Sequence, residues 1–398
     1  MPLMDITGYA ADFNENPYPY YKEMREAGPV HKVKDTGGEE IWLVVGHEEG
    51  RQALAHPALG KDWRVHERYA ENTRASEVNA NMLELDPPDH TRLRRLVARE
   101  FTGRRIEAMR PRVQQLTDAL LDAMAADPAR RGDLIGAFTF PLPMTVICEL
   151  LGVPDLDRDA FRVMSNEVLA PSTPESELKA LQDMAVYLQQ LIALKRETGR
   201  EDEDLLSALI RTTDEDGDQL DGEELVGMAF LLLVAGHETT VNLIANGVRA
   251  LLAHPEQLAA LKADMDGLLD GAVEEMLRYD GPVENSTFRF AHADVEIGGV
   301  TILKGDPVLI SLAGTSHDPE RYPDPEVFDI RRAPQGHLAF GHGIHFCIGA
   351  PLARMEARIA IRALLERFPD LALDESAGSY EWIGHSLIRG VKRLPVRW

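Results

Sequence analysis

The chain has few cysteines: two in 398 residues, Cys148 and Cys347, far apart. Two distant thiols do not make a disulfide framework, and their scarcity fits a reducing cytoplasm. Basic residues are also short, with 42 Lys and Arg against 66 Asp and Glu, a formal charge of −24. That excess of acid argues against nucleic-acid binding and favours solubility. No apolar run is long enough for a bilayer. The longest, Leu225 to Gly236 ("LVGMAFLLLVAG"), has the length of a buried core helix, whereas a spanning helix needs about 20 apolar residues. The N-terminus lacks a basic start followed by an apolar run. No signal peptide or membrane anchor is expected, and the expectation is a cytoplasmic protein without a membrane partner.

What is present is a helical pattern. Apolar residues make up 44% and charged residues 27% of the chain, the balance of an ordinary globular protein. Length alone allows two or three average domains or one large fold. Without repeats, low-complexity tracts or linkers, one domain over residues 1–398 is expected. Periodicity predicts helices near 17–27, 47–56, 88–101, 105–126, 140–151, 176–197, 203–212, 221–253, 255–264, 269–279 and 348–367. Strand-like runs are fewer, at 30–33, 41–45, 295–302 and 308–312. The expected class is mainly α with minor β, small β-sheets on one side of a helical body. The 221–253 helix is its centre: about 33 residues at about 1.5 Å each span about 50 Å, with a middle apolar nearly all round. Residues 62–86 are too polar and too long for an ordinary connection, which marks a lid or binding loop.

Cys148 lies in an apolar helix and reads as structural. Cys347 has the richer setting. The stretch "FGHGIHFCIG", 340–349, puts it among Gly341, Gly343 and Gly349, just ahead of a helical run. Glycines allow tight turns and close approach of a flat group, and the free N–H groups at a helix start stabilise a thiolate. Such a thiolate is a nucleophile or a metal ligand. A buried structural cysteine is the plainer reading, but it leaves the three glycines unexplained. His342, His345 and Cys347 together raise zinc, although a closed zinc site needs four ligands. A nucleotide loop fits less well, because Phe346 stands where the third glycine belongs.

Three further clusters stand out. In "LDPPDHTRLRRLVAREF", His90 and Arg94 are four apart on one helix face, a pair of donors suited to carboxylates. In "AGHETT", Glu238 and Thr239 enter an apolar helix, where polar groups need partners. A threonine hydroxyl there can bond the carbonyl four residues back, and the small Ala235–Gly236 pair leaves room beside a cofactor. In "EEMLR", Glu275 and Arg278 are three apart, on their own a surface pair worth about 0.2–0.5 kcal/mol.

In this order the motifs resemble those of the cytochromes P450. "FGHGIHFCIGAPLAR" looks like the haem-binding loop, and the similarity extends from "NPYPYYKEMREAGPV" to "LIRGVKRLPVRW". The resemblance implies the P450 fold, a long central helix over a buried haem (heme b), with Cys347 as the axial iron ligand. It implies that Phe340 shields the sulfur, with Gly341 and Gly349 in the same loop. It further implies that His90, Arg94, Arg289 and His345 hold the haem propionates. Glu238 and Thr239 match the acid–threonine pair that delivers protons during O2 activation, in a widened helical turn. Glu275 and Arg278 match a buried pair completed by a later arginine, here Arg332, which holds the fold behind the haem.

Within the family the chain is similar to actinobacterial macrolide hydroxylases. The implied reaction is hydroxylation, or epoxidation, of a bulky hydrophobic natural product by O2. By family position the substrate meets Met82, Leu83 and Glu84 from the long loop, and Val234 and Ala235 from the central helix. Val283, Asn285, Leu387 and Ile388 complete that pocket. Glu77 and Glu84 suit a cationic amino sugar. No nucleotide fingerprint or fused flavin module is present, so electrons are expected from NAD(P)H through ferredoxin reductase and ferredoxin. Eight arginines between 92 and 112 face only Glu100 and Glu107 in the same stretch, a basic patch suited to an acidic ferredoxin. Two other classes stay open here: a non-catalytic haem carrier or sensor, which needs no proton relay, and a zinc hydrolase.

Overall fold

Helices carry most of the chain, and side chains local in sequence set their ends. The computed structural model describes residues 4–5, 11–34, 38–66, 77–154, 158–169, 173–198, 204–212, 217–333, 335–384 and 387–398. The expected helices are present within a few residues of their predicted bounds, the central one as Gly222–Ala253. It opens on a reciprocal cap: the Glu224 amide donates to Asp221 Oδ1 at 2.9 Å, and the Asp221 amide donates to Glu224 Oε2 at 3.0 Å. Two orphan donors of the first turn are thereby satisfied. Thr102, Asp204 and Asp264 cap the Gly103–Ala126, Leu205–Arg211 and Met265–Tyr279 helices through side-chain oxygens. Each such cap is worth about 1 kcal/mol. A left-handed Gly152 ends Pro141–Leu151.

The chain divides into two units, residues 1–73, 245–347 and 378–392, and residues 74–244, 348–377 and 393–398. Neither is a continuous segment. The central helix begins in the second and ends in the first.

The first unit holds a six-stranded sheet in the order 4–5, 30–34, 40–44, 307–310, 289–291, 59–60. Val30–Lys34 and Glu40–Val44 form an antiparallel pair, and Glu40–Val44 runs parallel to Pro307–Ile310. Val30, Val44, Val308 and Ile310 are buried on the sheet with Leu59 and Ile302, and Tyr21 and Met24 of Tyr18–Ala27 pack with Val33 and Ile41. Each large apolar side chain so buried contributes about 1.5–3 kcal/mol. The run read as one strand at 295–302 is a hairpin, Val295–Ile297 with Val300–Ile302. Gly298 and Gly299 turn it with φ of 55° and 76°, the backbone a two-residue hairpin requires.

The second unit is helical, with a three-stranded sheet of 372–373, 395–397 and 131–133. Ala350–Arg367 packs on Gly103–Ala126. The sequence pattern missed Arg158–Leu169, which packs with Pro174–Thr198. Residues 67–76 of the long loop lie outside the described residues. Its flanks form short 3-10 turns, Trp63–Val65 and Glu77–Asn79. The second flank is fixed to the central helix at Gly227, where a Cβ would stand 2.4 Å from the Ala80 carbonyl oxygen. The apolar central helix is mostly buried inside the protein and is a core helix.

Candidate active site

The Cys347 loop is shaped by its backbone. Gly341 and Gly343 have φ of 72° and 74°, a left-handed conformation that favours glycine. A Cβ on Gly343 would also stand 3.0 Å from the Leu54 carbonyl oxygen. Gly349 differs from expectation. Its φ of −80° suits any residue, so nothing in its backbone demands glycine. The Cys347 amide donates to the Phe340 carbonyl at 2.9 Å and the Gly341 amide to Leu338 at 2.7 Å, closing the loop. Cys347 is exposed and followed by the Ala350–Arg367 helix. Ile344 and Phe346, beside it, are 48% and 41% exposed. Phe340 and Phe346 rings lie 6.4 Å apart, and Phe340 also lies 6.0 Å from the His337 ring. His337 is tied to Glu274 at 3.1 Å.

In the same unit, the structure brings Glu275, Arg278 and Arg332 together. Arg278 donates to Glu275 through Nε at 2.7 Å and Nη2 at 2.8 Å, and Arg332 Nε lies 3.3 Å from Glu275 Oε1. The arginines also donate to the carbonyls of Ser316, Pro325, Pro323 and Val327. Glu275 and Arg278 are buried, so they are not the surface pair their spacing alone suggested.

Arg289 is buried on Arg289–Ala291 and donates to the Leu59 carbonyl at 2.9 Å. In the second unit His90 is buried and Arg94 half-buried, on one face of Asp89–Glu100. The half-buried His345 adds a donor from the Cys347 loop.

Along the central helix, Leu231, Ala235 and Thr239 form an accessible stripe at four-residue spacing on a helix otherwise largely buried. The helix is regular α through 235–240, not widened. Thr239 Oγ1 donates to the Ala235 carbonyl at 2.8 Å. Glu238 is buried; Asn242 Nδ2 donates to its carbonyl at 2.8 Å and lies 3.3 Å from its Oε1. Gly236 does not leave room beside a cofactor. A Cβ there would lie 2.8 Å from Ile147 Cδ1, so the missing side chain lets Pro141–Leu151 pack close. Sequence reasoning missed His237, which lies 3.6 Å from Glu238 and 3.2 Å from Ser165. The signal available was a titratable ring beside an acid in an apolar helix.

The expected pocket residues fall into two groups. Val283 pairs with Ile388 and Asn285 with Ser311, while the Glu284 amide donates to the Leu387 carbonyl, so 283–285 and 387–388 are neighbours. Met82, Leu83 and Glu84 follow the turn anchored at Gly227; the Met82 amide lies 3.4 Å from Met228 Sδ, so this loop meets the helix well before Val234 and Ala235. Met82, Val234, Asn285 and Ile388 are buried, whereas Leu83, Glu84, Ala235, Val283 and Leu387 remain accessible. The Glu77 side chain lies outside the described residues.

The arginine-rich stretch is less basic than its count. Arg92 pairs with Asp218 at 3.3 Å and with Glu224, and Arg112 pairs with Glu149 at 2.7 Å. Arg105 and Arg110 pair with Glu100 and Glu107 at 3.4 and 2.9 Å. Three carboxylates from elsewhere in the chain thus offset half of the expected excess.

The residues fit a haem. A soft sulfur donor stands exposed on a glycine-rich loop beside two exposed apolar side chains, and Arg289 and His345 of the same unit are donors of the kind that suits a propionate. Among the described residues, no three His, Cys, Asp or Glu side chains converge on a metal-sized point, so nothing there supports zinc.

Comparison with known proteins supports the same family. The sequence profile for cytochrome P450 matches residues 159–376. The chain is 58% identical to cytochrome P450 monooxygenase PikC of Streptomyces venezuelae, over 100% of this chain and 94% of that protein. It is 42% identical to 6-deoxyerythronolide B hydroxylase of Saccharopolyspora erythraea, over 97% and 96%. A crystal structure of the myxobacterial cytochrome P450 CYP267B1 with myristic acid matches at a TM-score of 0.90 and 40% identity, covering 97% of each chain.

Proposed function

The chain belongs to the cytochrome P450 family and is a haem-dependent monooxygenase, and from that premise we propose that it oxidises a bulky hydrophobic natural product of the macrolide type. Residues 1–398 act as one P450 domain, a reading supported by relatives that match nearly end to end. Haem b, when bound through the Cys347 sulfur, would supply O2 activation for insertion into an unactivated C–H bond, because a thiolate ligand donates electron density that favours O–O cleavage. The exposed Cys347 thiol carries the reading.

Cys347 would ligate the iron, and the bond from its amide to the Phe340 carbonyl holds the backbone that carries the sulfur. Phe340 keeps water from the thiolate. His90, Arg94, Arg289 and His345 hold the propionates. Glu238 and Thr239 move protons: the threonine hydroxyl, now donating to the Ala235 carbonyl, turns to receive a proton and pass it on. Glu275, with Arg278 and Arg332, keeps the loop behind the haem rigid.

Ala235 and the stripe around it present a mostly apolar wall to substrate. Leu83 adds an accessible apolar side chain in the same unit, Val283 and Leu387 are accessible apolar neighbours in the other, and Glu84 recognises a cationic sugar. The names of the relatives, 6-deoxyerythronolide B hydroxylase among them, support this substrate class. Electrons come from NAD(P)H through ferredoxin reductase and ferredoxin. A cytoplasmic location is supported by the acidic chain and its buried apolar helix.

The test is a reconstituted reaction of holoenzyme with ferredoxin, its reductase, NADPH and a panel of amino-sugar macrolides, read by mass spectrometry. Gain of one oxygen atom is expected, together with a strongly red-shifted CO-bound Soret band that Cys347→Ala abolishes. An unshifted band in the parent, or no oxygenated product from any macrolide while smaller substrates are oxidised, refutes the cofactor or the substrate reading respectively.

A further inference from the structure

The central helix holds an arrangement that Glu238 and Thr239 alone do not require. His237 is fully buried. Neighbouring side chains on a helix point about 100° apart and do not face each other. Yet His237 Nε2 lies 3.6 Å from Glu238 Oε2. The Glu238 carboxyl is therefore folded sideways along the helix, and Asn242 Nδ2 lies 3.3 Å from its other oxygen. Ser165, fully buried on Arg158–Leu169, closes the group with its hydroxyl 3.2 Å from His237 Nε2.

One contact fixes the tautomer. His237 Nδ1 lies 2.7 Å from the Leu233 carbonyl oxygen. A carbonyl only accepts, so Nδ1 carries the hydrogen and Nε2 of the neutral ring is an acceptor. An ionised Glu238 oxygen is an acceptor too. Two acceptors 3.6 Å apart in a buried place are unfavourable unless each finds a donor: the Ser165 hydroxyl can serve Nε2, and a proton on the carboxyl would relieve the other. Burial holds the His237 ring below the ordinary imidazole range, against the opposing pull of the Glu238 charge.

We propose that His237 is a positioning residue that shares one proton with Glu238 and parks the loaded carboxyl on the Ser165 side of the helix until it turns toward Thr239. The inference rests on Glu238 and Thr239 being the proton relay, and it deepens that reading. The proton balance closes. Glu238 gives its proton toward Thr239 and is left ionised. A hydronium ion from solvent gives its proton to Nε2, leaving water and the imidazolium, and that proton passes to Oε2. Neutral ring and protonated carboxyl are restored, with no change of oxidation state. In the emptied state the Ser165 hydroxyl donates to Nε2 and holds the ring in place.

The test uses the ferrous, CO-bound holoenzyme, whose diamagnetic iron permits NMR. Nitrogen shifts of labelled histidine should show His237 protonated at Nδ1. A deuterium-sensitive infrared carboxyl band, assigned by its loss in Glu238→Gln, should move to higher frequency in His237→Phe and recover partly in His237→Gln. In turnover, His237→Phe should lower product per NADPH several-fold and raise hydrogen peroxide, with the substrate spin shift retained. A bare Nδ1, or a band unmoved by His237→Phe, overturns the proposal. Should His237→Phe not fold, Ser165→Ala removes a single hydroxyl, and an unchanged Nε2 shift there has the same force. If Glu238→Gln and Thr239→Ala leave coupling intact, the relay reading fails. If those two uncouple turnover while His237→Phe does not, only the present inference fails.

Discussion

Glu356 offers the sharpest quantitative prediction. It sits in Ala350–Arg367 and is 1% exposed, and among the described residues its Oε2 has no hydrogen-bond partner. Burial alone pushes its carboxyl up to about 8. A folded value above the unfolded one means that the native state binds the proton more tightly. The associated stability is complete below the unfolded value of about 4.3 and is lost as pH rises toward about 8. At about 1.4 kcal/mol per pH unit, the loss across that window is roughly 5 kcal/mol. Glu356→Gln keeps the shape of the protonated acid and cannot ionise, so it escapes the loss. Unfolding entropy of about 2.1 cal/mol/K per residue gives roughly 0.8 kcal/mol/K for this chain, so the variant should gain about 6 °C in apparent Tm at high pH. The assay compares thermal midpoints of both holoproteins at one scan rate between about pH 5 and about pH 9. The gap should open with pH and level off above about 8. A gap of constant size, or one that narrows, refutes the reasoning, because a packing effect of the amide would not follow the titration.

Other outcomes follow from the same geometry. Thr239→Ala should uncouple turnover, with NADPH consumption continuing while hydrogen peroxide rises and product falls several-fold; unchanged coupling would rule out the relay. Glu275→Gln leaves buried Arg278 without its counter-charge and should cost about 3–5 kcal/mol, seen as a lowered denaturation midpoint and poorer haem retention. Arg104, which is exposed, should matter for electron transfer: Arg104→Glu is expected to slow reduction of the holoenzyme by ferredoxin roughly 3–10-fold at low salt, with the difference shrinking as salt rises. Glu84→Gln should weaken binding of an amino-sugar macrolide by about 1 kcal/mol while leaving the aglycone unaffected, as measured by spin-shift titration.

The sequence carried the thiol loop and the long helix because both depend on local chemistry. Glycines at positive φ, proline at a helix start and an Asp-to-Glu cap each act within a few residues. What it hid depends on distant partners. Arg289–Ala291 is too short to read as a strand and exists because Pro307–Ile310 and Leu59–Gly60 pair with it. Gly236 looked like space for a cofactor until Ile147 filled it. The arginine patch looked strongly basic because Asp218, Glu224 and Glu149 lie far off in sequence. The Gly298–Gly299 pair is a hairpin signal in its own right, masked in the sequence by the alternation on either side of it. His237 was visible as a letter, but its tie to Ser165 needed the fold.

The close fit of Gly227 against the Ala80 carbonyl bears on how this scaffold can diversify. A mutant library randomised at position 227 should be nearly barren, since even a methyl group drives the loop backbone off the helix. Three and four residues beyond Ala80, Leu83 and Glu84 have amides bonded to Asn81 but side chains that stay accessible. Selectivity can therefore drift at the tip while the hinge stays frozen, so a new specificity is best sought there first.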